Sequence, residues 1–279
     1  MFLKRLSNSK RETYRQCGFK YLLEYEEKIP DKGGNIGALQ FGSYIHAIFE
    51  EGVKAKSLAE LEKIADKLRK EYTFDNSYNG KIKTCLKNFL RLNSSLQETV
   101  GIELNFTVPV LEDLDYQVII DRVIKAKTGE YLVIDYKTSK DEKTKVELFS
   151  DNQLRGYVYA YSKKFGVPVE KIKACHYYPL TDTLVPISYT SGQIAGYIRE
   201  LEKDIWRIRK AKKDDLAPRE NKYCGNCGKR YYCPKFVSPQ DSKHRIDEAL
   251  EQKRNSANNQ KDKHNEGGAT VLPPSLHPS

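Results

Sequence analysis

Three apolar runs with the period of β-strands lie close together between residues 102 and 138, and they constrain the fold more than any other feature. The runs IELNFTVPVL, YQVIIDRVIKA and YLVIDYKT are separated only by the polar stretches EDLD and KTGE. This spacing is typical of consecutive hairpins. Helical patterns precede and follow the runs, so the sequence predicts an α/β fold in which a central mixed sheet is flanked by helices.

The remaining elements follow from hydrophobic periodicity. Helices are predicted before the three runs in SNSKRETYRQCGFKYLLEYEE, SYIHAIFEEGVK, SLAELEKIADKLRKEYTF and GKIKTCLKNFLRLNSSLQETV. After the runs we expect a helix in VELFSDNQLRGYVYAYSKKFG, strands in KIKACHYYPL and TLVPISY, and a long helix in GQIAGYIRELEKDIWRIRKAKK. Ser7 and Ser9 are the candidate caps of the first helix.

The last segment, from Ser238 onward, has a different composition. It contains no aromatic residue, and its six basic and six acidic side chains cancel. Such a segment cannot bury enough apolar surface to offset the entropy lost on ordering. We therefore predict a mostly disordered tail with a short helix near RIDEALEQKR.

Charge and cysteine content narrow the functional class. Lysine and arginine total 48 against 38 acidic residues, so the net charge of +10 lies on residues 1–237 and favours a polyanionic partner such as nucleic acid. No apolar run has the length of a membrane span, and the first residues lack the features of a secretory signal. We expect a cytoplasmic protein with no membrane partner, in which six cysteines indicate metal ligands more readily than disulfides.

Two aspartates end apolar runs on neighbouring predicted strands. Asp121 follows YQVII and Asp135 follows YLVI. Because strand side chains alternate, Asp135 and Lys137 share a face and Tyr136 points away. Paired carboxylates suit a hard divalent cation, and an amine beside them can position an attacking water or stabilise charge at phosphorus. An ordinary surface ion pair is the alternative interpretation of Asp135 and Lys137.

Two helical pairs accompany these strands, since Gln153 and Tyr157 are four residues apart, as are His46 and Glu50. Together the motifs GSYIHAIFE, IIDRV, VIDYKTS and QLRGYVYAY resemble the RecB-type branch of the PD-(D/E)xK nucleases, which includes CRISPR-adaptation nucleases and AddB-like exonucleases. Each motif is weak alone. Their order, and the offset of fourteen residues from the first aspartate motif to the second, carry the resemblance over about residues 7–236.

The resemblance implies a restriction-endonuclease-like sheet and a set of metal ligands. His46, Asp121 and Asp135 would hold Mg²⁺ or Mn²⁺, and the backbone carbonyl of Tyr136 would add a ligand. The catalytic set that it implies is Asp121, Asp135, Lys137, Gln153 and Tyr157.

Within that set, Lys137 would be the catalytic lysine. Gln153 and Tyr157 would orient the scissile phosphate or the DNA strand. Glu50 and Glu103 stay outside the set. Glu103 can bind a second ion through water, but its place at the start of a predicted strand indicates an exposed side chain.

Four cysteines lie at the two ends of the predicted nuclease core. Cys224, Cys227 and Cys233 form a C-x2-C-x5-C cluster, and Cys17 stands more than two hundred residues upstream. Three clustered thiols and a distant one can complete a tetrahedral set for zinc or for an iron–sulfur cluster, and spacing alone leaves both open. Unligated thiols are the remaining alternative. The resemblance favours a [4Fe-4S] cluster, because the iron–sulfur branch has one cysteine before the nuclease motifs and three after them.

Three further residues are predicted to pack in the interior. Cys85 falls on the apolar face of its helix, and Cys175 and His176 lie in a predicted strand. We assign none of them to a site.

We therefore expect four segments. Residues 1–32 would form the N-terminal helix of an iron–sulfur module, residues 33–213 the nuclease core and residues 214–237 the C-terminal part of the module. Residues 238–279 would form the disordered tail.

The expected function is metal-dependent hydrolysis of DNA, exonucleolytic and favouring single-stranded or frayed ends, in recombination, repair, CRISPR adaptation or phage DNA metabolism. The sequence has no G-x-x-x-x-G-K-[ST] motif, so unwinding would require a helicase partner. A recombinase or a CRISPR integrase is another expected partner. The alternatives are a sequence-specific endonuclease, for which no base-reading domain is found, and a non-catalytic nucleic-acid-binding scaffold with a structural zinc or iron–sulfur site.

Overall fold

A six-stranded sheet is the central feature of the computed structural model, which describes residues 3–266. The strand order is β1-β3-β4-β5-β6, and β2 also pairs with β3. The strands are β1 (Arg5–Ser7), β2 (Glu98–Leu111), β3 (Leu114–Lys125), β4 (Tyr131–Tyr136), β5 (Ile172–Tyr178) and β6 (Thr183–Ser188).

Helices cover both faces of the sheet. The α-helices are α1 (Asn8–Gln16), α2 (Gly18–Tyr21), α3 (Ile36–Glu51), α4 (Leu58–Leu68), α5 (Asn79–Ser95), α6 (Lys145–Phe149), α7 (Asn152–Phe165), α8 (Ser191–Arg209) and α9 (Pro239–Glu266). A π-helical turn, Leu22–Glu26, continues α2. Short 3₁₀ turns occupy Gly52–Lys54, Arg69–Glu71, Asn76–Tyr78, Val169–Lys171, Lys213–Leu216, Cys224–Asn226 and Arg230–Tyr232. Among the residues that the structure describes, no helix is both long and apolar enough to cross a membrane.

The strand pairing is mixed. Strands β2, β3 and β4 pair antiparallel in the predicted succession of hairpins, and β5 and β6 form another antiparallel pair. Strand β4 pairs parallel with β5, so α6 and α7 make the crossover between them. The predicted α/β architecture, a mixed sheet flanked by helices, is confirmed.

Within the described chain, part of β3 has no strand partner on one of its two edges. Strand β2 runs along one edge of β3. On the opposite edge β1 pairs with residues 115–117 and β4 pairs with residues 122–125. Residues 118–121 of the described sheet therefore have no strand partner on that edge, and Asp121 is the last residue of the gap.

The sheet separates two hydrophobic cores. Helices α7 and α8 cover one face, where Val133 is buried, and helices α3, α4 and α5 cover the other, where Ile134 is buried. These two adjacent residues of β4 enter opposite cores because strand side chains alternate. Cys85 and Cys175 are fully buried in the second core, which confirms their predicted interior positions.

Local structure differs from the prediction at three points near the N-terminus and the crossover. Strand β1 was not predicted, since three residues are too few to show a period. The first helix is capped by Ser7, one of the two candidates, but breaks at Cys17, whose backbone is extended. The predicted crossover helix is two helices, because the Asp151 side chain caps α7 by accepting the backbone N–H groups of Gln153 and Leu154.

The C-terminal segment also differs from the predicted tail. Residues 239–266 form the long helix α9, whereas disorder with only a short helix was expected. Ala249 is buried beside Leu23, Ile29 and Tyr232, with Ile246 and Leu250 at its sides. This apolar stripe at helical spacing is narrow, which explains why composition alone indicated disorder. The rest of the predicted tail, residues 267–279, lies outside the described residues.

Gly156 allows close packing between α7, β3 and α8. A Cβ atom at this position would lie 2.3 Å from the Tyr116 hydroxyl oxygen and 2.8 Å from the Tyr197 hydroxyl oxygen. Both tyrosines are fully buried and hydrogen-bonded to each other, so neither can withdraw easily. We expect Gly156→Ala to lower the free energy of unfolding by about 1–3 kcal/mol, measured by denaturant titration.

Gly80 supplies the matched control, because it is exposed in α5 and a Cβ atom there meets nothing within 4 Å. Gly80→Ala should leave stability unchanged or raise it by up to about 1 kcal/mol. Equal stability of the two variants would contradict the packing argument.

Candidate active site

A cleft of about 590 Å³ opens beside the unpaired stretch of β3. Its walls come from the start of α1, from α3, from the middle of β3, from the end of β4 and from α7. It brings together every predicted metal-binding and catalytic residue. Its lining residues are Ser7, Asn8, Ser9, His46, Gln117, Val118, Ile119, Asp121, Asp135, Tyr136, Lys137, Thr138, Ser139, Gln153 and Tyr157.

On one side of the cleft, His46 joins β3 to β4. Its Nε2 lies 2.9 Å from the backbone carbonyl oxygen of Tyr136, and its Nδ1 lies 3.4 Å from Oδ1 of Asp121. The backbone N–H of Tyr136 donates to Oδ2 of Asp121 over 2.6 Å. Three predicted ligand groups therefore face one another on this side of the cleft.

The charges in this cluster influence one another strongly. Burial and the neighbouring Asp135 carboxylate raise the pKa of Asp121, although His46 opposes the change. Burial alone would lower the pKa of His46, but the Asp121 carboxylate raises it above its ordinary value. His46 and Asp121 therefore favour each other's charged form, whereas burial and Asp135 disfavour the charged form of Asp121.

Glu103 is a member of the cluster that the sequence analysis left out. Its carboxylate, an imidazole nitrogen of His46 and a carboxylate oxygen of Asp121 lie within 4.8 Å of one another. Flanking pairs in the β2–β3 register place Glu103 opposite Asp121, and its φ of 44° is in the left-handed region. Burial, followed by repulsion from Asp121, raises the pKa of Glu103 to about 7.

The sequence did not predict this pairing, because counting back from a four-residue EDLD loop pairs residue 103 with Ile124. The observed register differs because the turn is only Glu112 and Asp113, and a register shift follows between Pro109 and Leu111. The prediction of an exposed side chain was wrong, because Glu103 is half-buried. By contrast Glu50, one turn after His46, is exposed and is not among the residues that line the cleft.

On the other side of the cleft, four side chains form a closed ring of polar contacts. Lys137 Nζ lies 2.6 Å from Oδ2 of Asp135 and donates to Oε1 of Gln153 over 2.9 Å. The Gln153 amide donates to the Tyr157 hydroxyl oxygen over 2.8 Å, and that hydroxyl donates to Oδ1 of Asp135 over 3.1 Å. The ring fixes the orientation of the buried Asp135 carboxylate.

The charges in the ring define what each group can do. Burial would lower the pKa of Lys137, but the Asp135 carboxylate raises it above its ordinary value. Burial, followed by the charge of Asp135, raises the pKa of Tyr157 well above its ordinary value. Lys137 is therefore a stable cation and Tyr157 a stable neutral donor, which suits them to stabilising negative charge.

The four predicted ligand cysteines line a second cavity, of about 240 Å³. Cys17 lies at the break between α1 and α2. Cys224 begins a 3₁₀ turn after α8, and Cys227 and Cys233 each directly follow such a turn. None forms a disulfide, and all four are partly buried. Burial raises the pKa of the Cys227 and Cys233 thiols, with the other cysteines of the group contributing.

Backbone contacts support the cysteine cavity. The N–H of Asn221 donates to Sγ of Cys224 over 3.3 Å, and backbone N–H groups of Lys229 and Lys235 hydrogen-bond to Cys227 and Cys233. Gly18 lets the two chain ends meet, since a Cβ atom there would lie 2.1 Å from the backbone oxygen of Asp215.

Helix α1 connects the two cavities. Its first residues line the cleft, and the residue after its last turn is Cys17. Arg11, in the middle of the helix, is fully buried and pairs with Asp204 of α8, with Nε and Oδ2 separated by 2.7 Å. One wall of the cleft is therefore held in place by the segment that carries the first cysteine.

Comparison with known proteins identifies the family. The model of the PD-(D/E)XK nuclease superfamily matches residues 5–234, most of the chain. The chain belongs to this superfamily, and membership implies nuclease activity on a nucleic-acid substrate. Nucleases of this superfamily generally use divalent metal ions.

Comparisons with curated proteins and with solved structures add no information about the substrate. No curated protein matches the chain. The crystal structure of SSO0001 is similar over 84% of this chain and 88% of that one, with a TM-score of 0.41 and 16% sequence identity. Similarity at this level supports no statement about the substrate of this chain.

The titration of the cluster predicts how Mn²⁺ binding depends on pH. A metal ion competes with protons on Glu103, whose pKa is about 7, and on His46, whose pKa is raised. We expect Mn²⁺ affinity, measured by isothermal titration calorimetry, to rise between about pH 6 and pH 8, with proton release on binding.

Glu103→Gln removes one of the competing groups and should make the rise less steep. Glu98→Gln, an exposed change on the same strand, is the control and should behave like the wild type. A pH-independent affinity would contradict the assignment of these groups as ligands.

Proposed function

We propose that this protein is a metal-dependent deoxyribonuclease of the RecB-like, iron–sulfur branch of the superfamily. The observation that carries the proposal is the convergence of His46, Asp121, Asp135 and the Tyr136 carbonyl on one cleft beside Lys137. As proposed, the enzyme acts on DNA ends as an exonuclease, in recombination, repair, CRISPR adaptation or phage DNA metabolism.

The proposed metal ligands are His46, Asp121, Asp135 and the carbonyl oxygen of Tyr136, with Glu103 as an added carboxylate. The residues fit a divalent cation because buried carboxylates raise one another's pKa and need positive charge. Oxygen ligands with one imidazole suit Mg²⁺ or Mn²⁺. When bound, such an ion activates water and offsets charge on the phosphate.

The remaining side chains of the cleft are proposed to bind and orient the substrate. Lys137 keeps its proton and donates to a phosphate oxygen on which charge develops. Gln153 and Tyr157 hold Lys137 and Asp135 in place through the ring of contacts and can also donate to the DNA strand. The start of α1 forms one wall of the space that a DNA strand would occupy.

The preference for single-stranded or frayed ends rests on the resemblance to AddB-like exonucleases. The net charge of +10 supports binding of a nucleic-acid strand. Strand separation is assigned to a helicase partner, with a recombinase or a CRISPR integrase as alternative partners. The preferred DNA ends and the partner proteins are thus part of the proposed function.

Asp135→Asn tests the proposed activity. The substitution keeps the shape of the side chain but removes a carboxylate that would bind the ion. We expect Mg²⁺-dependent or Mn²⁺-dependent degradation of end-labelled single-stranded DNA to fall by at least about 100-fold, while DNA binding by fluorescence anisotropy persists.

Asp141→Asn, in the exposed loop after β4, is the matched control and should retain activity. If the anaerobically purified wild type binds DNA but degrades none with either metal, the non-catalytic scaffold becomes the better interpretation. Cleavage confined to one internal sequence would instead favour the endonuclease.

We further propose that Cys17, Cys224, Cys227 and Cys233 hold a [4Fe-4S] cluster, in a module made from residues 1–32 and 214–237 around the nuclease core of residues 33–213. The resemblance to the iron–sulfur branch favours this cluster over zinc, and the backbone N–H donors to Cys224, Cys227 and Cys233 suit cluster thiolates.

The cluster proposal has a direct spectroscopic test. Anaerobically purified wild type should be brown, absorb broadly in the visible and contain about four iron atoms per chain. Cys224→Ser should lose most of the colour and iron. Cys85→Ala changes a buried core cysteine that is not one of the proposed cluster ligands, and it should keep both the colour and the iron. A colourless wild type with one zinc per chain would overturn the assignment.

A further inference from the structure

His176 is a buried histidine that has no role in the function proposed above. It lies on β5 directly opposite Asp135 in the parallel β4–β5 register, so both side chains point to the same face of the sheet. Its side chain is fully buried. The sequence analysis predicted a packing role for it, but the groups around it are polar.

The contacts of His176 favour one tautomer of its neutral ring. The backbone N–H of Lys143 donates to the Tyr178 hydroxyl oxygen over 3.0 Å. The hydroxyl hydrogen is then available to His176 Nδ1, which lies 3.3 Å away. A neutral ring that accepts at Nδ1 has its hydrogen on Nε2.

The Nε2 atom faces two carboxylates. It lies 3.8 Å from Oδ2 of Asp135 and 4.0 Å from Oδ2 of Asp151, and it has no hydrogen-bond partner among the described residues. A buried N–H without a partner is costly. A small movement of either carboxylate would satisfy it.

Asp135 needs such a donor when substrate is bound. In the present arrangement its Oδ2 is paired with Lys137. When Lys137 also donates to a phosphate oxygen, as proposed above, its contact with Oδ2 weakens while Oδ2 remains buried. His176 Nε2–H is the other donor on that side of the carboxylate.

We propose that His176 is a positioning residue that holds the Asp135 carboxylate in its metal-binding orientation while Lys137 donates to the substrate. The inference rests on the proposed function. The contact also joins Asp135 to Asp151, which caps the helix that carries Gln153 and Tyr157. The imidazole thereby lies between the end of β4 and the start of α7, the two elements that form this side of the cleft.

The test compares His176→Gln with His176→Phe. The Gln amide can place a donor near the position of Nε2, whereas Phe fills the volume without a donor. We expect His176→Phe to lower kcat on single-stranded DNA and to weaken Mn²⁺ binding by calorimetry, each by about 10-fold or more, with KM for DNA nearly unchanged. His176→Gln should stay within about threefold of the wild type in both measurements.

If His176 only packed in the interior, His176→Gln would lose more activity and Mn²⁺ affinity than His176→Phe, because Phe suits an apolar interior better than Gln. That order, or equal values for the two variants, would overturn the inference. Cys175→Ala, the buried neighbour on the opposite face, is the control and should leave the Mn²⁺ affinity unchanged. If the wild type degrades no DNA, the Mn²⁺ affinities of the variants still test His176 while the proposed function fails.

Discussion

The burial of two carboxylates beside one opening in the sheet is the constraint on which the rest of the structure depends. Asp121 is 7% exposed and Asp135 is 2% exposed. Buried charges of like sign are tolerated only where donors and cations surround them. His46 and the Tyr136 N–H make polar contacts with the Asp121 carboxylate, and Lys137 and Tyr157 make polar contacts with the Asp135 carboxylate. The elements around the cleft are arranged to deliver these partners.

This requirement explains the form of the sheet near the cleft. If β3 were paired on both edges throughout, the space beside Asp121 would be filled by another strand. Strands β1 and β4 instead share one edge of β3 and leave residues 118–121 open between them. The same arrangement places Glu103 opposite Asp121, on the strand that occupies the other edge.

The cysteine cavity and the cleft are mechanically related through α1. The helix begins at the cleft, ends at Cys17 and is fixed in between by the buried Arg11–Asp204 pair, whose members are 193 residues apart. Removing one member would leave the other charge buried and unpaired. A module built from both ends of the chain can thus shape the active-site wall without contributing a catalytic group.

The sequence by itself determined the succession of strands and helices and the residues of the cleft that follow buried strands, because apolar periodicity and strand alternation act over a few neighbouring residues. Asp121, Asp135 and Lys137 were accessible to that reasoning. Only the tertiary structure decided the positions of β1, Glu103 and His176 beside the cleft, since each depends on which strand lies beside which and in what register. Only a short part of α9 was predicted, because its few apolar residues become significant only when Leu23, Ile29 and Tyr232 are brought against them. Local patterns record which face of an element is buried, whereas the identity of the opposing residue is a property of the folded chain.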